Sequence, residues 1–404
     1  MIPRSSLSMR HIALMLLISA CWLLGSTEQL EKNLHGATLP VTILFAGAVI
    51  CVVLVTMPMW APIIERQRWK PLLTLWIGML ALYAILHPMA EHRVLEGLGS
   101  DSEDALRIAA AELAAAHYPY YARTYLGGPI TPLPGAVLLA MPFYYLKKVG
   151  LQNVVWLGLF MVAVRSLYAS SATAIAYLLV VACGELGSLD QFAVGGDYVT
   201  NLWYVIVACL CFIRSQSDGK SYVRLLCGVL LGLSMSSRPI YPLVFLPLLI
   251  AYLKQEQGVR RTIIALSIPT IVMTAVTLPF YLYDASSFSP LHIQHKLDFL
   301  SPRAAGFALY VLPIAGLGVA CSGFFIRLSL PRLLLLAGMA LLIIIGIPGT
   351  LAVVRDPQRE SWKLLGYADV AAMLIATWAF HELEQARPKN PRAHDVDAAS
   401  RGAQ

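Results

Sequence analysis

Long apolar runs alternate along this chain with short polar breaks. A helix that crosses a bilayer needs about 20 mostly apolar residues, with a range of about 17–25. Runs near that length fall at 11–27, 39–60, 71–88, 131–147, 151–169, 170–187, 198–213, 222–237, 239–253, 262–283, 304–326, 330–352 and 362–381. The pattern predicts an all-α, polytopic membrane helix bundle of about 12 spans over residues 1–381. The first run follows a basic stretch, Met1–Arg10, as a signal peptide would. No small-residue cleavage site stands out after Cys21, so it reads as an anchor helix.

Basic breaks set the orientation. Arg66, Arg68 and Lys70, then Lys254, Arg260 and Arg261 fall between spans, and Arg327 and Arg332 flank the next-to-last turn. Placing them inside puts both termini in the cytoplasm and the segments 89–130, 188–197 and 284–303 outside. Lys147, Lys148 and Arg165 also favour the inside, but the parity of the other spans allows only an odd number of crossings between 131 and 169. One of the runs 131–147 and 151–169 is therefore expected to be oblique, re-entrant or interfacial. The polar, small-residue-rich tail at 382–404 is expected to be disordered and cytoplasmic.

Composition sharpens this picture. The chain has 404 residues, 58% of them apolar and only 13% charged, about half the charged share of a soluble domain. Mean hydropathy is +0.68. A soluble enzyme of this size lacks the charged surface it would need. The net charge of +7 follows from cytoplasmic loops that collect Lys and Arg and implies no nucleic-acid partner. Seven cysteines lie in apolar segments without metal-type spacing and read as small buried residues. The remaining charge is unevenly spread. Residues 89–130 hold Glu91, Glu96, Asp101, Glu103, Asp104 and Glu112, six of the 23 acids.

That insert is long for a connector between spans. From about Ser102 to His117, Leu106, Ala109, Ala110 and Leu113 recur at helical spacing and predict an amphipathic helix along the outer face, with its apolar side on lipid or bundle. Asp101 and Asp104 are three residues apart at its start and can point the same way. Two readings fit them. Ser100 or Asp101 can cap the helix with Glu103 or Asp104 completing a capping box, or an Asp held there can do chemistry. After the helix come Tyr118, Tyr120, Tyr121 and Tyr125. These suit an interfacial aromatic belt or a platform for a sugar or lipid headgroup. Pro129, Pro132 and Pro134 then break helix as the chain turns back toward the membrane.

This order of elements resembles the GT-C type polytopic membrane glycosyltransferases, and within them the bacterial polyprenyl-phosphate mannosyltransferase-like (GT87-type) proteins. The residues that carry the resemblance are Asp101 and Asp104, Ala109–Ala110, Pro119–Tyr120, and Pro132 with Pro134. Further likeness lies in SSRPIYPLVFLPLLI at 236–250, with Arg238 in the basic position, and in GGDYVTN at 195–201. The likeness covers roughly residues 70–300, and two spans precede the acidic loop beyond what many GT-C enzymes have. The resemblance implies a membrane enzyme that transfers mannose or another hexose or pentose from a polyprenyl-phosphate donor to a lipid or envelope-glycan acceptor. It implies the outer face of a bacterial cytoplasmic membrane as the place of reaction.

Such a reaction needs a base for the acceptor hydroxyl and positive charge for the departing phosphate. Asp101 is the first candidate for the base, with Asp104 as partner or alternative. Asp197, in a Gly-Gly turn, is a further candidate in the site, although such an Asp also suits a plain turn. Arg238 can hold phosphate or simply snorkel from a span end. Tyr120 and Tyr125 are candidate substrate contacts. His292, His295 and Lys296 in the 284–303 loop put positive charge on the outer side, which suits headgroup binding. His292 and His295 could also ligate a metal, but no third ligand at fixed spacing supports one. No nucleotide-binding glycine loop is found, and no cofactor is expected. The competing expectations are a transporter or flippase of lipid-linked glycans, which would place ionisable groups deep in the spans, and a non-catalytic partner in envelope assembly.

Overall fold

The computed structural model describes residues 8–34, 38–67, 69–96, 100–218, 220–292, 297, 300–356 and 359–386. Every regular element among them is helical. In chain order they are α1 (Met9–Leu34), α2 (Thr38–Gln67), α3 (Lys70–Leu95), α4 (Ser102–Ala114), α5 (Pro134–Tyr145), α6 (Leu151–Arg165), α7 (Ser171–Tyr177), α8 (Leu186–Ala193), α9 (Tyr198–Asp218), α10 (Ser221–Met235), α11 (Ile240–Gln257), α12 (Val259–Tyr283), α13 (Pro302–Gly306), α14 (Leu312–Cys321), α15 (Leu330–Leu341), α16 (Ile347–Arg355), α17 (Arg359–Gly366) and α18 (Asp369–Gln385). Short π-helical turns join α13 to α14 and α15 to α16 into continuous rods and extend α7 through Ala182.

Eight of the described helical segments are long and apolar enough to cross a membrane, or nine if the bent pair Ser171–Ala182 and Leu186–Ala193 counts as one span. The chain is thus a multi-pass helical membrane protein. Many of the large apolar side chains on α2, α3 and α12 face outward, among them Leu44, Val55 and Ile263, as lipid-facing surfaces require. The core gathers around Trp22, Phe160, Tyr177, Trp203, Tyr204 and Phe245, all fully buried. Expectation and structure differ over short runs. α5 has 12 residues and α6 has 15, so they reach only about 18 and 23 Å against a hydrocarbon core of about 30 Å.

The two ends of the bundle differ. At one, Arg10 at the start of α1 pairs with Glu382 near the end of α18. Glu65 near the end of α2 accepts from Ser170 Oγ at 2.6 Å and Ala172 N at 2.9 Å, and Glu384 accepts from Ser170 N at 2.7 Å. At the other end lie α4, α5, α8 and α17. There Glu103 of α4 accepts from Gly150 N at 2.7 Å, just before α6. α6 therefore runs from end to end, because its far end sits by Ser166, whose carbonyl accepts from Arg214 at the end of α9. α5 stays beside α4, with Leu106 packed against Ala136 and Ala140. Of the runs 131–147 and 151–169, the second thus links the two ends of the bundle and the first stays at one end.

α4 begins at Ser102 as expected and stops at Ala114, short of His117. Ala116 takes a left-handed conformation, φ 58°, and Pro119 follows. Its stripe of Ala105, Ala109 and Ala110 faces Tyr120, Ile130, Leu133 and Phe288, so the apolar side rests on protein. Gly135 lets α5 meet α10 closely. Its N–H donates to Ser236 O at 2.8 Å, and a Cβ there would sit 2.2 Å from Leu233 O. The helix α18 runs through Gln385, slightly beyond the expected domain edge at 381. The tail from 387 onward lies outside the described residues.

Candidate functional site

A cavity of about 770 Å³ opens at the end that carries α4. Helices α1, α3, α8 and α17 line it together with the loop 124–132 and the joints before α9, α11 and α18. Its acidic lining is Glu28, Asp101, Asp190, Asp197 and Asp369. Lys32, Arg93, Arg238 and Lys363 supply cations. Both signs therefore meet in one partly enclosed space, where charge interactions are stronger than in bulk water.

Asp101 occupies the N-cap position of α4, yet its side chain makes no capping bond. Its backbone oxygen accepts from Ala105 N at 2.9 Å, while its carboxylate accepts from Thr124 Oγ1 at 2.7 Å. Thr124 is fixed in turn by a tight loop. Thr124 N donates to Gly128 O at 3.0 Å, Gly127 N donates to Thr124 O at 2.8 Å, and Gly128 N donates to Thr124 Oγ1 at 3.0 Å. Because Gly128 N–H already fills a lone pair of that hydroxyl, the Thr124 proton points at Asp101. The acid is thereby presented as an acceptor at the cavity wall.

Asp104 does different work. It is buried, and its carboxylate accepts from Arg107 and from Tyr125 N at 2.9 Å. It does not line the cavity, and it ties α4 to the start of the loop that carries Thr124. Glu103 forms no capping box either. Besides Gly150 N, it faces His87 Nε2 at 3.6 Å. Burial pushes the Glu103 carboxyl up, and the opposing pulls of His87 and the Gly150 N–H do not cancel it. Gly195, at φ 71°, packs against this carboxylate, where a Cβ would lie 2.5 Å from Oε2. Glu103 thus couples α4 to the loop that carries Asp197.

Asp197 and Arg238 form a buried bidentate pair, Nη2 to Oδ1 at 2.7 Å and to Oδ2 at 2.6 Å. Their side chains are only 4% and 14% exposed. Asn201 Nδ2 donates to Asp197 at 3.0 Å, and Arg238 Nη1 donates to Thr131 Oγ1 at 3.2 Å. Burial works against the Arg238 charge, but the Asp197 carboxylate outweighs it and holds the guanidinium firmly protonated. Arg238 lines the cavity with its charge already matched.

The other expected residues scatter. Tyr120 is buried and donates to Pro132 O at 3.1 Å, so it braces the proline-rich loop that lines the cavity without lining the cavity itself. Tyr125 stands at the rim between Thr124 and Leu126, both of which line the cavity. Its hydroxyl is pushed up first by burial and then by Asp101 and Asp104. His292 is exposed and away from the cavity, with its N–H donating to Ser289 O at 3.0 Å. His295 and Lys296 lie outside the described residues. Among the described residues, no group of three or more His, Cys, Asp or Glu is placed to hold a metal ion.

No known protein family, no curated protein and no solved structure matches this chain. The site therefore stands on its own geometry. Sequence reasoning missed Thr124, Asp190, Lys32, Arg93 and Lys363, and flagged Asp369 without giving it a role. The three cations had one legible signal. On the topology expected from the sequence, each falls at the outer end of a span or in an outer loop, against the usual bias of Lys and Arg.

Proposed function

We propose that this chain is a GT-C type membrane glycosyltransferase. It moves a sugar, mannose or another hexose or pentose, from a polyprenyl-phosphate donor to a lipid or envelope-glycan acceptor in the end cavity. The observation that carries the reading is Asp101. Its carboxylate is oriented by Thr124, unused in capping, and turned to a cavity that also holds cations.

In the proposed reaction Asp101 takes the proton of the acceptor hydroxyl. The acceptor oxygen forms the new bond to the anomeric carbon. The bond from that carbon to the phosphate oxygen breaks, and the polyprenyl phosphate leaves with the electron pair. Direct displacement inverts the anomeric configuration. Asp104 and the Asp197–Arg238 pair serve as positioning groups that hold the walls of the cavity.

Topology supports the same picture. The eight long segments, with α6, the α7 rod, α10 and α11, bring the proposed crossings to twelve. The cavity end is outside the cytoplasmic membrane of a bacterium, and both termini are inside. Among the described residues, the buried carboxylates Asp104, Glu185, Asp197 and Asp369 all sit at the cavity end. That arrangement suits chemistry at the interface better than passage through the bundle. Glu185 is accounted for as the cap of α8, accepting from Gly187 N and Ser188 N at 2.7 Å each.

The test is transfer itself. Membranes carrying the protein are given a labelled polyprenyl-phosphate sugar, and label is followed into lipid and glycan. Transfer that depends on the protein and on Asp101 supports the reading. Full transfer by Asp101→Asn, or labelling of cysteines placed in 100–130 only from the cytoplasmic side, overturns it.

A further inference from the structure

Helices α10 and α12 run side by side in the same direction. The Cβ that a larger residue would add at Gly228 lies 3.0 Å from Ile268 Cγ2, and at Gly232 it lies 2.7 Å from Val272 Cβ. One turn further on, Ser236 Oγ and Thr277 Oγ1 are 2.6 Å apart. Both helices finish at the cavity end, where Ser236 O accepts from Gly135 N and Phe280 O accepts from the Tyr118 hydroxyl. Both therefore start at the opposite end. Followed back, the same register sets Lys220 level with Arg260, and Arg224 level with Ile264, one turn or about 6 Å deeper.

Lys220, Arg224, Arg260 and Arg261 are all exposed. None of them forms an ion pair among the described residues. Arg224 Nη2 donates to Ser221 Oγ at 3.5 Å. The neighbouring ends of α9 and α11 add Arg214 and Lys254, and with them the acids Asp218 and Glu256. Arg214 donates to Ser166 O, and Lys254 lies over the Phe324 ring at 5.8 Å. Setting both acids against the other four cations still leaves positive charge in excess. Aliphatic side chains begin directly beyond these charges. Leu225 and Leu226 of α10 and Ile263 and Ile264 of α12 are within a turn of Arg224 and Arg261 and are between 49% and 67% exposed. In a multi-pass membrane protein such a face meets lipid.

We propose that the starts of α10 and α12 bind the headgroup of an anionic phospholipid, in the leaflet opposite the cavity. Cations at the helix starts and bare aliphatic side chains one turn deeper repeat the order of such a lipid, phosphate outermost and acyl chains within. Lys220, Arg260 and Arg261 hold the phosphate. Arg224 snorkels to it from one turn deeper. A soluble anion would use the charges and leave the aliphatic face idle. The site lies at the far end of the bundle from Asp101 and does not rest on the sugar-transfer reading.

The test uses the full-length protein in neutral detergent micelles at low salt. Phosphatidylglycerol is titrated in, with phosphatidylcholine as the neutral comparison, and retained lipid is counted by native mass spectrometry. Phosphatidylglycerol is expected to bind about tenfold more tightly, and the preference is expected to shrink as salt rises. Lys220→Gln and Arg224→Gln are each expected to weaken it about fivefold, and Arg260→Gln with Arg261→Gln together about 25-fold. Unchanged melting temperatures show that the variants fold. Lys70→Gln is the control. Lys70 is exposed at the start of α3, at the same end of the bundle, with α6 and α9 between it and α10. A site predicts no change there, whereas a general attraction of basic ends to anionic lipid predicts the same loss as in Lys220→Gln. That equal loss, equal binding of the two lipids, or inorganic phosphate binding as tightly as phosphatidylglycerol overturns the proposal. So does a dimer that Arg260→Gln with Arg261→Gln dissociates, which would assign the face to a second copy of the chain.

Discussion

Thr124 donates its hydroxyl proton to the Asp101 carboxylate at 2.7 Å, and the same oxygen accepts the Gly128 N–H at 3.0 Å. A residue 23 positions downstream thus fixes where the acid at the head of α4 points. Thr124→Val keeps the shape and removes the donor. A hydrogen bond to a charged group contributes about 1.5–3 kcal/mol. Transfer is expected to fall by about tenfold or more in Thr124→Val and to recover in Thr124→Ser. Equal rates for Val and wild type would remove Thr124 from the account.

The Asp197–Arg238 pair predicts an asymmetry in stability. Asp197→Ala leaves a buried guanidinium with no counter-charge, a loss of about 3–5 kcal/mol. Replacing both partners, Asp197→Leu with Arg238→Met, is expected to cost far less. Thermal melts of the three proteins in micelles check this. A double variant less stable than Asp197→Ala would show that the pair is not acting as a unit.

The α5–α10 junction makes a steric prediction. Gly135→Ala places a Cβ 2.2 Å from Leu233 O and 2.4 Å from Ser236 O, so backbone must move, at about 1–3 kcal/mol. Gly47→Ala, where nothing lies within 4 Å, serves as the control and is expected to be neutral or slightly stabilising. The melting temperatures of the two variants decide the point.

Glu103 predicts a dependence on pH. Its folded-state carboxyl is raised above the ordinary 4.5, chiefly by burial. Between the unfolded and folded values the native protein holds more protons, so its contribution is full below about pH 4.5 and is lost as pH rises through the folded value. Glu103→Gln lacks this loss and can still accept the Gly150 N–H. The variant's melting temperature relative to wild type should therefore rise from pH 5 to pH 8. A constant difference would show that Glu103 is not strained by ionisation.

The long helices were legible because lipid demands apolar runs of fixed length, and α4 was legible from the spacing of Leu106, Ala109 and Ala110. Asp101 stood out as an acid in a charge-poor chain. What it does with its side chain did not, because its partner Thr124 belongs to a turn that only the fold brings back to α4. Asp104 looks equivalent in sequence, yet the N–H of Tyr125 claims it. Arg238 read as a phosphate ligand or a snorkelling span-end residue because its match, Asp197, lies 41 residues away. Lys32, Arg93 and Lys363 sit in separate helices from the two halves of the chain and become one cluster only at the cavity. That α6 rather than α5 links the two ends of the bundle rested on the contacts of Gly150 and Ser166, which hydropathy does not encode.

The central claim is that Asp101 is the base of a sugar transfer. The most direct measurement is the single-turnover rate of transfer from a labelled polyprenyl-phosphate sugar in membranes that contain equal amounts of wild type, Asp101→Asn and Asp104→Asn. The account predicts a loss of about 10²–10⁴-fold for Asp101→Asn at unchanged protein level, and for Asp104→Asn a loss that tracks reduced stability. A wild-type rate in Asp101→Asn would contradict it.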